Sequence, residues 1–174
     1  INIRITGIHE MQDPIGAVNR AQGIFIGGGN TFLLVKTLYQ NKLITAVINA
    51  VENGTPYFGT SAGSNITGPS MMNTNDMPIV YPPSFRTFGF INFNLNPHYL
   101  DPISGSKHMG ETRETRINEF HVFNSTPVLG LREGSWLHVE GNKVLLKGKL
   151  NARLFQQGQQ PREMTPGTDL NFLG

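Results

Sequence analysis

The stretch Tyr57-Phe58-Gly59-Thr60-Ser61-Ala62-Gly63-Ser64-Asn65 sets a serine at the centre of a Gly-x-Ser-x-Gly pattern, directly behind a short apolar run. A serine hydroxyl becomes a useful nucleophile when a tight strand-to-helix turn exposes it to a base. Glycines on either side suit such a turn, because its backbone angles and close approaches leave little room for a Cβ. An ordinary Gly/Ser loop has the same composition, so the pattern needs partners. Those partners are a base, a carboxylate that orients the base, and N–H donors for an oxyanion.

Of the five histidines, His98 is preferred as the base, since it follows a strand-like run through Asn96-Pro97. Pro97 holds Asn96 extended and so directs where His98 projects. His138 falls inside a hairpin pattern, His121 at a helix end, and His9 and His108 in polar connections. Glu133 and Asp76 compete for the orienting role; the first follows a strand-like run and the second sits in a polar loop. Gly27-Gly28-Gly29-Asn30-Thr31 follows the apolar run Ile24-Phe25-Ile26. It reads as a phosphate cradle without the lysine of a P-loop, as an oxyanion-binding strand end, or as a tight connection.

The elements that must position these residues alternate in type. Ile1-Asn2-Ile3-Arg4-Ile5 alternates as a strand, and Asp13-Pro14 starts a short helix over residues 14–21. Strand, glycine loop and helix follow over residues 24–38, then a helix with the stripe Leu43, Ile44, Val47, Ile48 and Val51. Pro56-Tyr57-Phe58 is the strand that delivers Ser61. Residues 67–86 read as an irregular loop and 88–95 as a strand, and the polar stretch Gly110–Arg116 leads into a helix ending at Phe120. Val128-Leu129-Gly130-Leu131 is a buried strand, and residues 136–146 turn through Gly141-Asn142 as a hairpin. The fold class expected is α/β, with a mostly parallel sheet flanked by helices on both faces and a C-terminal β-hairpin. Ligands of such sheets sit at the carboxyl ends of the strands, where Ser61, His98, Glu133 and the glycine loop all fall.

A chain of 174 residues suits one domain, taken as 1–174 with a loosely held tail over 156–174. A formal net charge of +2, with no basic and aromatic cluster, argues against a nucleic-acid partner. No apolar run is long enough to span a bilayer, so no membrane partner is expected. The absence of cysteine excludes disulfides, a thiolate nucleophile and thiolate metal ligands. No His-Glu-x-x-His pattern or close His/Asp cluster points to a metal, and the chemistry requires no cofactor.

Gly27-Gly28-Gly29-Asn30-Thr31-Phe32, Gly59-Thr60-Ser61-Ala62-Gly63-Ser64-Asn65, Thr74-Asn75-Asp76-Met77-Pro78-Ile79-Val80, Asn96-Pro97-His98, Gly110-Glu111-Thr112-Arg113 and Glu133-Gly134-Ser135-Trp136 occur here in one order. In that order the chain resembles the serine peptidase family of peptidase E, the α-aspartyl dipeptidase, which also contains cyanophycinase. The resemblance implies a cytoplasmic enzyme hydrolysing Asp-Xaa dipeptides, on a fold like the class I glutaminase domains. It implies Ser61 as nucleophile, His98 as base and Glu133 as third triad member. It also implies an oxyanion hole from Gly28 or Gly29 and Ala62, and Arg113 as the grip on the substrate's aspartate side chain. Asp76 lies in a family motif as a residue of the loop over the site. The resemblance further implies an N-terminal portion, with early strands of the sheet, that this chain lacks. A cyanophycinase-like β-aspartyl peptidase and an inactive binding module are the rival readings.

Overall fold

The computed structural model describes residues 3–102 and 110–173. Residues 3–7, expected to end the first strand, are irregular and leave Ile3 and Ile5 exposed; residues 1–2 of that strand lie outside the described residues. Alternation alone does not make a strand where no described neighbour offers a ladder of N–H and C=O groups. Helix α1 (Pro14–Asn19) starts where expected, with Asp13 accepting from the Gly16 N–H at 2.8 Å. Strand β1 (Ile24–Ile26) then runs through the glycine loop into α2 (Thr31–Gln40), capped by Asn30, which accepts from the Leu33 N–H at 3.1 Å. Helix α3 (Leu43–Glu52) buries Leu43, Ala46, Val47 and Ala50 in a cluster with Val18 of α1 and Val35 and Leu38 of α2. No helix among the described residues is long and apolar enough to cross a membrane.

Strand β2 (Tyr57–Gly59) pairs parallel with β1, setting Phe58 opposite Phe25, and turns at Ser61 into α4 (Ala62–Asn65). The outward face of this pair is open: Phe25 and Phe58 stack with 59% and 63% of their surface exposed. The expectation of buried strands covered on both faces therefore fails here, because no described element packs over these rings. The strand expected over 88–95 is only β3 (Asn94–Pro97). Before it, the N–H groups of Phe88, Gly89 and Phe90 donate to Ile66, Gly68 and Thr67 carbonyls at 3.0, 3.0 and 2.8 Å. Committed to that loop, they cannot extend a ladder, and the Phe88 and Phe90 rings pack on Tyr57 instead.

Helix α5 (Arg113–Phe123) starts at Thr112, which caps the Thr115 N–H at 3.0 Å. Strand β4 (Val128–Leu131) runs parallel to β3, and β5 (Ser135–Glu140) pairs antiparallel with β6 (Lys143–Gly148). Strands β7 (Ala152–Phe155) and β8 (Arg162–Met164) complete a four-stranded sheet in the order β3-β4-β7-β8. The expected loose tail is thus built in: β8 pairs with β7, and Leu170 and Leu173 are buried beside Leu129, Val144 and Leu154. Two apolar residues in a polar stretch suffice, because their burial replaces contact with water.

Candidate active site

Ser61 has φ 53° and ψ −116°, a conformation that costs a non-glycine residue on the order of 1–3 kcal/mol and must be held by its surroundings. The restraints are visible. The Thr60 N–H donates to Ile26 O at 3.0 Å, the Gly63 N–H to Gly27 O at 3.1 Å, and Ser64 Oγ to Gly59 O at 2.8 Å. Tyr57, its phenol pushed up by burial and kept neutral, donates to Gly63 O at 2.7 Å. A Cβ on Gly63 would collide with the Ile26 carbonyl, so the turn closes onto β1 only with glycine there. On the other side, a Cβ on Gly28 would lie 3.3 Å from Ser61 Oγ, which puts the Gly28 backbone against the hydroxyl. Gly29 follows at φ 134°, and Ala62 opens α4 directly behind the serine.

Ser61, Ala62, Asp76, His98 and Arg113 line one cavity of about 110 Å³. His98 follows β3 with φ 55°, again a left-handed backbone on a non-glycine residue. Its Nδ1 is bound to Glu133 Oε1 at the end of β4, which leaves Nε2 as the ring nitrogen available to substrate chemistry. Ser61 and His98 both line this cavity, with no hydrogen bond between their side chains.

Asp76 is not the partner of His98. Its Oδ2 accepts from the N–H and the hydroxyl of Thr31, both at 2.6 Å, and so pins its loop to the start of α2. Asn30 Nδ2 reinforces the loop by donating to Met77 O at 2.8 Å. Arg113 is the first residue of α5, and no carboxylate among the described residues pairs with it. Burial and the neighbouring Arg116 push its pKa below the usual guanidinium value, while Asp76 opposes them. Arg116 ties this helix end to the same loop, donating to Glu111 and to Asn75 O, each at 3.2 Å.

Thr31, Asn65, Thr74 and Asn75 also line the cavity, and sequence reasoning had singled out none of them. All four fall inside the motifs quoted from the sequence; Asn65 closes the serine motif, and its Nδ2 reaches across to Leu95 O of β3 at 2.8 Å. The other histidines lie elsewhere: His9 is exposed, His121 is buried against Thr126 O at 3.0 Å, and His138 is in β5. His108 lies outside the described residues. A larger hollow of about 330 Å³ between α5 and the β7–β8 turn contains none of the expected site residues.

The sequence pattern of Peptidase family S51 matches residues 1–147. The chain belongs to that family. It is 53% identical to "Peptidase E" of Streptomyces coelicolor over 98% of its length and 70% of that protein. With "Probable alpha-aspartyl dipeptidase" of Drosophila melanogaster it shares 48% identity, over 97% of this chain and 71% of the relative. A solved peptidase from an acI-B1 Actinobacterium has the same fold, with TM-score 0.65 at 18% identity, covering 90% of this chain. This S51 chain spans 62% of that solved chain, less than two thirds of it.

Proposed function

We propose that this S51 chain carries the catalytic site of a serine dipeptidase that cleaves dipeptides with an N-terminal aspartate. The observation that carries the reading is a strained serine on a strand-to-helix turn, sharing one cavity with a carboxylate-bound histidine and an arginine. The names of the relatives, peptidase E and α-aspartyl dipeptidase, support the same substrate class. Arg113 grips the aspartate side chain, a task suited to the planar fork of a guanidinium. Ser61 Oγ passes its proton to His98 and attacks the peptide carbonyl. The oxyanion that forms is received by backbone N–H groups of Gly28 or Gly29 and of Ala62, each worth about 3 kcal/mol in such sites. Glu133 holds the imidazole in its tautomer and stabilises the imidazolium. His98 then protonates the departing amine, and water, activated by the same imidazole, releases aspartate from the acyl ester. The strand ends would then be arranged as in class I glutaminase domains, with serine in the nucleophile position.

The deciding experiment is release of aspartate from Asp-Leu by the 174-residue chain, with Ser61→Ala alongside. Release is expected, and the substitution is expected to reduce it by at least about 10⁴-fold. Binding without release would convert the reading to a binding module. Release confined to β-linked aspartyl substrates would convert it to a cyanophycinase-like activity.

A further inference from the structure

We infer that Arg132 is a positioning residue of this site, clamping the strand end that carries Glu133 to the strand end that carries His98. The inference rests on the proposed roles of those two residues. Its basis is the complete use of one guanidinium. Nε and Nη2 of Arg132 donate to the two oxygens of Asp101 at 2.8 and 2.7 Å. Nη1 and Nη2 donate to the two oxygens of Glu163 at 2.8 and 2.9 Å, and Nη1 also to Asn151 O at 2.7 Å. A guanidinium has five N–H donors in a fixed plane, and all five are engaged.

The position of this clamp in the chain makes it more than a surface ion pair. Asp101 lies three residues beyond His98 and Arg132 one residue before Glu133, so the fork fixes one segment on the other within three residues of both site residues. The Arg132 guanidinium also lies 5.5 Å above the ring of Tyr99, whose N–H donates to Leu131 O at 3.1 Å. The Arg132 side chain is only 15% exposed, against 73% for Glu133. Glu133 therefore has little packing of its own, and its reach to His98 depends on how the backbone beside it is held. Glu163 and Asn151 bring β8 and the turn before β7 into the clamp, and both lie beyond the residues the family pattern matches. The pKa directions agree: hydrogen bonds from Arg132 hold both Asp101 and Glu163 below the usual carboxylate values. A lysine could not reproduce this, since an ammonium is a point charge without the fork.

The test follows hydrolysis of Asp-Leu and the His98 Nδ1 proton resonance in the parent chain, Arg132→Gln, Arg132→Lys, Glu133→Gln and the double variant Arg132→Gln/Glu133→Gln. Arg132→Gln is expected to lower kcat by about 10- to 100-fold with KM changed less than about threefold, and to broaden or abolish the resonance. Arg132→Lys should recover only part of each effect. In the Glu133→Gln background the same change should cost less than about twofold, because the residue acts through Glu133. Should Arg132→Gln not fold, Asp101→Ala severs the His98 side alone and is expected to give the same pattern in kcat and in the resonance. A folded variant that keeps both kcat and the resonance would overturn the inference, as would losses that multiply in the double variant. If the parent releases no aspartate, the proposed function fails by itself. The His98 resonance then still decides whether Arg132 holds the contact.

Discussion

Arg113 is a partly buried cation without a carboxylate partner among the described residues. The negative charge that acts on it from nearby is that of Asp76, and this setting suits the role proposed for it, holding a substrate carboxylate. Asp76 is close enough to act on Arg113, its Oδ2 is committed to Thr31, and both residues line the cavity. Replacing Arg113 with methionine keeps the length and removes the fork. Arg113→Met is expected to reduce kcat/KM for Asp-Leu by about 10²- to 10³-fold, while a neutral analogue such as Asn-Leu changes less than about threefold. Equal losses on the two substrates, measured side by side, would assign Arg113 to holding the helix end instead.

Among the elements, β7 and β8 do work that their short length conceals. They extend the β3–β4 sheet and bring Glu163 to Arg132 and Arg153 at 2.8 and 3.4 Å. Asp101 and Glu163 have ordinary pKa values of 3.8 and 4.5, and both are lowered in the folded chain, chiefly by hydrogen bonds from Arg132. The unfolded chain thus binds protons at these groups before the folded one does. Their contribution to stability is complete above the ordinary values and is lost as pH falls through the lowered ones. Melting temperature should therefore decline as pH drops below about 5, and Glu163→Gln should make that decline shallower. Both carboxylates are well exposed, so water and salt weaken the effect, and high salt should reduce the difference between the two proteins. Thermal melts between about pH 3 and 6 would check the slope.

At the scale of the whole chain, the conspicuous feature is an apolar face that no other described element covers. Phe25 and Phe58 stack with ring centroids 5.7 Å apart on the outward side of the β1–β2 pair. A stacked pair at that exposure binds apolar probes and promotes self-association. Changing both to threonine keeps β-propensity and removes the rings. The double variant Phe25→Thr/Phe58→Thr is expected to bind less hydrophobic dye and to remain dispersed at higher concentration. Its stability should shift by less than about 1 kcal/mol, because little buried area is lost. Unchanged dye binding would locate the sticky surface elsewhere.

What was legible in the sequence is what neighbours along the chain decide. The apolar stripe of α3, the Asp13-Pro14 helix start, the strand before each glycine loop and the serine turn are all set within a few residues. Helical period, capping and the room left by glycine act at that range. The choice between Glu133 and Asp76 as the partner of His98 was not legible from spacing, since each carboxylate stands in a plausible place along the chain; only the family resemblance favoured Glu133. It depends on β3 and β4 lying side by side, which brings His98 and Glu133 together across 35 positions of chain. The burial of Leu170 and Leu173 in a polar stretch, and the fork of Arg132 onto Asp101 and Glu163, depend on the same long-range pairing. Local pattern specifies which elements form and which residues stand at their ends. Which of those ends meet is decided by the packing of strands remote in sequence, because a hydrogen bond or ion pair acts only over a few ångströms of space.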